Sequence, residues 1–213
     1  MRAVVDSKNQ VLVLLYENNA LAAIELVSKL KINKWNINNF LSIGADANSP
    51  IFIEYLVKKR GANVNFKDHM DENSIFRAAK NNSKESFNLL LGYGADYKQA
   101  NKKGYNCLMG MIKSPSIVKK IIKDFDIHHL NKDGQTALIL ALQAENRESI
   151  KLIINESHSI EDISIFKKQI KKFRNSNNKN ICDNAIKEIA AIELNFKLQE
   201  DLVQKPTSKK MKI

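Results

Sequence analysis

The sequence predicts an all-α protein, a solenoid of about five helix-turn-helix repeats followed by a helical C-terminal cap. Three observations carry this reading. Gly-Ala-Asx occurs at Gly44, Gly61 and Gly94, and the last two copies stand 33 residues apart. The segments ENSIFRAAKNNSKESFNLLLGYGADY, 72–97, and DGQTALILALQAENRESIKLIINESHS, 133–159, each read as two short helices around a polar break. Beyond residue 158 the pattern changes to longer helical periodicities without the repeat.

The units follow in order. In the first, Leu12, Leu14 and Leu15 make one helix, Asn18 and Asn19 the turn, and Ala23, Ile24, Leu26 and Val27 the second helix. In the second, Gly44 lies 17 residues before Gly61, half the period, so GADANS is read as helix interior that imitates a closing motif. Ser49-Pro50 starts the next helix, because proline suits a first helical position. Gly44→Ala is therefore expected to be neutral or stabilising, and Gly61 and Gly94 are expected to need positive φ. The third unit places Ile75, Ala78 and Ala79 on one face and Phe87, Leu90 and Leu91 on another. The fourth keeps Gly104, Leu108, Val118, Ile121 and Ile122 but is two residues short at 113–116, and the fifth pairs Leu138, Ala141 and Leu142 with Ile150, Ile153 and Ile154. Corresponding leucine positions fall at Leu12, Leu41, Ile75, Leu108 and Leu138, spaced 29, 34, 33 and 30.

In this register residues 8–158 resemble the ankyrin repeat family, whose unit runs from Thr-Pro-Leu-His through paired alanines to Val-x-x-Leu-Leu and a closing Gly-Ala-Asp. The resemblance departs at the first motif. Its threonine is Asn73, Asn106 and Thr136, all able to cap a helix, while its histidine is Phe76, Met109 and Ile139. Asp71 stands where Gly104 and Gly134 keep the turn glycine, and aspartate tolerates positive φ better than most residues.

The domain reading is an ankyrin repeat domain over 1–158, a helical cap over 159–204 and a disordered basic tail over 205–213. Ser159 is the expected N-cap of an amphipathic helix carrying Ile163, Phe166, Ile170 and Phe173, with Asp162 three residues on. A second helix, 181–203, carries Ile189, Ile192 and Phe196 on one stripe and Leu194, Leu198 and Leu202 on another. A solenoid exposes an apolar face at its end, which these helices would cover.

The chain has 213 residues, 44% of them hydrophobic, which suffices for several stacked units. No run approaches the roughly 18 apolar residues of a membrane span, and VLVLL is short for a signal peptide, so a cytoplasmic location is expected. Two cysteines, Cys107 and Cys182, fit reduced packing residues. His69, His128, His129 and His158 fall at turns, where an exposed imidazole is the expectation. No nucleophile, base and orienting group converge, and GxxxxGK[ST], HExxH and CxxC are all missing. The sequence therefore reads as no enzyme, with no cofactor, no metal site and no small-molecule substrate.

Binding is the favoured class. Lys and Arg outnumber Asp and Glu by 34 to 23, a formal charge of +11, which favours acidic partners. The resemblance implies that a protein partner lies across the hairpin tips and the concave face of the first helices. Through the register the tips supply Phe66, Lys67, His69, Tyr97, Lys98, Lys102, Lys103, Tyr105 and Lys132, and the inner helices supply Arg77, Lys80 and Lys113. Trp35 is expected at the first hairpin. The reading is thus a non-catalytic protein-protein interaction scaffold for an acidic partner. The alternative is a nucleic-acid or anionic-membrane binder using the helix at 163–174, which carries Lys167, Lys168, Lys171, Lys172 and Arg174, and the tail with Lys209, Lys210 and Lys212. Compositional likeness to host-directed ankyrin effectors of intracellular bacteria and large DNA viruses would place the chain in a host cytosol or nucleus instead.

Overall fold

A computed structural model describes the backbone of residues 2–175 and 177–204 and the side chains of residues 7–175 and 177–199. The expected basic tail and the Leu202 side chain lie outside the described residues. Among these residues all regular structure is helical. The helices are α1 (Arg2–Tyr16), α2 (Ala20–Lys29), α3 (Lys34–Asp46), α4 (Pro50–Arg60), α5 (Ser74–Lys80) and α6 (Lys84–Gly92), then α7 (Cys107–Gly110), α8 (Pro115–Ile121), α9 (Ala137–Gln143), α10 (Arg147–Asn155), α11 (Ile160–Phe173) and α12 (Lys179–Gln204). No helix among the described residues is long and apolar enough to cross a membrane.

Most of these helices are too short to persist alone, so packing must hold them. Helices α1 and α2, α3 and α4, α5 and α6, and α9 and α10 pack as neighbours in sequence. The odd-numbered helices α1, α3, α5, α7, α9 and α11 form one row in which each contacts the next, and α2, α4 and α6 form a second row that resumes with α8, α10 and α12. The row of odd helices is held by a triplet at i, i+3 and i+4. Leu41, Gly44 and Ala45 repeat as Ile75, Ala78 and Ala79, as Leu108, Met111 and Ile112, and as Leu138, Ala141 and Leu142, all buried. In α1 the buried members are Val11 and Leu15, while Leu12 is half-buried, so Val11 takes the place expected for Leu12.

Local chemistry sets the helix ends. The side chains of Asn33, Asn73, Asn106 and Thr136 accept the backbone N–H three residues on, as N-caps do. Ser159 and Asp162 form a reciprocal capping box on α11. Ser83 and Ser114 precede α6 and α8 without capping them; their hydroxyls donate to the Asp46 carbonyl and to Asn82 Oδ1, linking neighbouring units. The turns inside four of the helix pairs use positive φ at Asn18, Asn48, Asn82 and Glu145. Residue 115, where the fourth unit would repeat this, is the first residue of α8, because that unit is short. Gly61, Gly94, Gly104, Gly134 and Asp71 all adopt positive φ.

Two expectations change. Trp35 lies not at a hairpin but in the first turn of α3, exposed, with Lys8 Nζ 4.7 Å from the centre of its ring. Gly44 lies within α3, but a Cβ there would meet Phe52 Cδ1 at 2.9 Å and Ile53 Cγ1 at 3.2 Å. Glycine is needed to let α4 approach α3, so Gly44→Ala is not neutral.

The C-terminal helices bury one face each. Ile163, Phe166 and Ile170 of α11 are buried on the side that contacts α9 and α12, and Ile181, Cys182, Ala185 and Ile189 of α12 are buried. Leu194 and Leu198 face solvent.

Alanine at Gly44, Gly61 or Gly94 should lower stability in thermal melts by about 1–3 kcal/mol, for two different reasons. Asparagine separates them: Gly94→Asn should recover most of the loss, since asparagine tolerates positive φ, whereas Gly44→Asn should be worse than Gly44→Ala. The reverse ranking would contradict the packing described for Gly44.

Candidate functional site

The row of odd helices and the turns between units line an open groove of about 1060 Å³. It forms where α7 has a single turn, leaving room between the ends of α5 and α9. At its floor the backbone of Gly110 approaches that of α5 so closely that a Cβ would lie 2.8 Å from the Ala79 carbonyl carbon. Phe76, Met109, Ile112 and Leu140 give the floor its apolar character.

Three turns of one design build the rim. Asp68 Oδ1 accepts from the N–H of Met70 and Glu72, Asn101 Oδ1 from Lys103 and Tyr105, and Asn131 Oδ1 from Asp133 and Gln135. Each turn closes on a positive-φ residue, Asp71, Gly104 or Gly134. Adjacent turns are joined by backbone bonds from Lys102 N to Met70 O at 3.0 Å and from Lys132 N to Lys103 O at 2.9 Å.

Beneath the rim lies a buried carboxylate. Glu72 is 4% exposed; its Oε1 accepts from Asn101 Nδ2 at 2.7 Å and lies 3.6 Å from Lys80 Nζ, and its Oε2 lies 3.5 Å from Arg77 Nη1. Arg77 also holds Asp46 of α3, with Nε 2.9 Å from Oδ1. The hydrogen bond to Asp46 pushes the Arg77 guanidinium further above its ordinary range. Asn81 Nδ2 donates to the same Asp46 carboxylate at 2.7 Å.

Of the expected contact residues, His69, Arg77, Lys80, Lys103, Tyr105 and Lys113 line this groove, and Phe66, Lys67, Tyr97, Lys98, Lys102 and Lys132 do not. Phe66 is half-buried, and the Lys67 ammonium is bonded to Gln99. Tyr97 packs between Phe87 and Phe125, its hydroxyl donating to Asp124 Oδ2 at 2.5 Å, and Lys98 Nζ bonds the other oxygen of Asp124 at 2.9 Å. Lys102 Nζ donates to the His69 carbonyl at 2.7 Å. Lys132 is exposed. Lys103 and Lys113 are exposed and have no acidic partner among the described residues.

The groove also holds residues the sequence did not single out, Asp68, Glu72 and Asp133. Its four Lys and Arg side chains thus face three carboxylates, so its excess positive charge is small and concentrated on Lys103 and Lys113. Glu72 precedes the cap Asn73, the only local hint of a special position.

Two histidines differ from expectation. His128 Nε2 lies 2.8 Å from Asp162 Oδ1, its ring stands against Phe166, and its Nδ1 is buried without a hydrogen-bond partner. His129 Nε2 lies 2.8 Å from the Gly104 carbonyl oxygen. Both are half-buried links between units rather than free surface imidazoles. Burial pushes the Asp162 carboxyl up, but bonds from His128, from the backbone N–H of His158 and from the side chain of Ser159 together hold it below the usual carboxylate range. Burial pushes the Cys107 thiol well above its ordinary value, so it stays protonated. Among the described residues no three His, Cys, Asp or Glu side chains gather where they could hold a metal ion.

No protein-family model matches the chain, and no curated protein matches it in sequence.

The hydrogen bond to Asp124, with burial, pushes the Tyr97 phenol up to about 12. Its folded value is raised, so its contribution to stability is complete below about 10, the unfolded value, and is lost as pH rises toward about 12. Phenolate absorbance should show a step near pH 12 from Tyr97, and Tyr97→Phe should remove it; a titration unchanged by Tyr97→Phe would contradict the Tyr97–Asp124 bond.

Proposed function

We propose that the chain is a divergent ankyrin-type repeat protein with a helical C-terminal cap, non-catalytic, which binds a segment of an acidic protein partner in the groove between α5 and α9. The observation that carries this is the groove itself: an open, preformed trough with an apolar floor and two lysines, Lys103 and Lys113, without an acidic partner among the described residues. The recurring buried triplet, the N-caps at Asn73, Asn106 and Thr136 and the turn residues at Asp71, Gly104 and Gly134 support the repeat assignment, since they recur at the spacing that the resemblance requires. Because much of the charge in the groove is compensated internally, recognition of acidic residues rests on a few positions rather than on the whole basic surface. The proposed address is cytoplasmic, of the cell itself or of a host.

A second reading has its own observation. On α11, Lys167 is tied to Glu193 and Arg174 to Asp183, but Lys168, Lys171 and Lys172 stand exposed on consecutive turns beside Ile165, with no acidic partner among the described residues. That is the composition of a contact for nucleic acid or an anionic membrane.

One experiment separates the two. A labelled Glu-rich peptide should bind the full chain, and Lys103→Glu with Lys113→Glu should weaken it about tenfold or more while leaving the melting temperature within a few degrees. Reversal of Lys168, Lys171 and Lys172 should leave peptide binding intact. Unchanged affinity in the first variant, or tight salt-sensitive binding of random duplex DNA lost in the second, would favour the other reading.

A further inference from the structure

The groove is one stretch of a longer row. Arg77 and Lys80 lie two and five positions beyond Ile75, the first member of the buried triplet in α5. Val13 and Tyr16 stand in the same relation to Val11 in α1, and Ile43 and Asp46 to Leu41 in α3. Because the triplets fix which side of each helix is buried, equal offsets point the same way, and α1, α3 and α5 contact one another in that order. The bond from Arg77 to Asp46 shows that side chains at these offsets meet across neighbouring units.

Along this row the chemistry changes. Val13 is 53% exposed and Tyr16 67% exposed, so two large uncharged side chains stand in water at the α1 end. Beside them the only charged neighbour on the same turn is Glu17, which is exposed and repels carboxylates. At the other end stand Lys103 and Lys113. In between, Asp46 and Glu72 occupy Arg77 and Lys80.

We infer that this row takes a single protein segment of two-part chemistry, an apolar cluster seated on Val13 and Tyr16 and a carboxylate cluster seated on Lys103 and Lys113. This rests on the proposed reading of the groove as a protein-binding surface and fixes the composition and polarity of the segment. Neighbouring packed helices are about 8–10 Å apart, so the three steps from α1 to α7 span about 24–30 Å. An extended segment covers that with about eight residues between its clusters, and a helical one with about eighteen.

The test is selection of phage-displayed random peptides, about 24 residues long to allow either form, on the full chain. The enriched peptides should carry an aliphatic or aromatic cluster and an Asp/Glu cluster at one of those two separations. Val13→Ser with Tyr16→Ser should weaken a selected peptide about tenfold or more, and so should Lys103→Glu with Lys113→Glu. Enrichment of peptides that are only acidic, sensitive to the lysine pair and indifferent to the Val13 and Tyr16 pair, would overturn this inference and leave the groove reading standing. Peptides sensitive to neither pair, or no enrichment, would overturn both.

Discussion

The groove depends on one buried carboxylate. Glu72 has lost nearly all its water and must be satisfied from within, by the charges of Arg77 and Lys80 from α5 and by a hydrogen bond from Asn101 of the next turn. Arg77 in turn grips Asp46 of α3. A buried charge stripped of its partners costs about 3–5 kcal/mol, so this network constrains how three consecutive units sit. It also uses up the guanidinium of the groove, because an arginine spent on two carboxylates is not offered to a partner.

The shortened fourth unit acts on that frame. Its first helix is one turn, Cys107–Gly110, and it reaches α5 only because Gly110 has no side chain. A longer helix there would fill the trough with its own last turn. Phe76 and Met109 are buried beside it, and the polar contacts at this level are made by Glu72 and the turn residues Asp68, Asn101 and Asn131.

Local chemistry was legible in the sequence, and contacts between distant residues were not. The N-caps at Asn73, Asn106, Thr136 and Ser159 and the positive φ at Gly61, Gly94 and Asp71 depend on a few neighbouring residues, and the all-helical class follows from apolar spacing. The need for glycine at Gly44 comes from Phe52 on the facing helix, the burial of His128 from Asp162 and Phe166 of α11, and the importance of Glu72 from Asn101. No periodicity announces such pairs. Half of the expected contact residues lie outside the groove for the same reason: Tyr97 and Lys98 look like free tip residues until Asp124 is placed beside them.

Amide hydrogen exchange on Glu72→Ala tests the coupling of the units most directly. If the buried carboxylate ties them together, protection should fall at once in the C-terminal turn of α3, in α5 and in the turn at 101–105, since all three share its network. Loss confined to the residues adjoining position 72, with α3 and the 101–105 turn protected as before, would contradict the account.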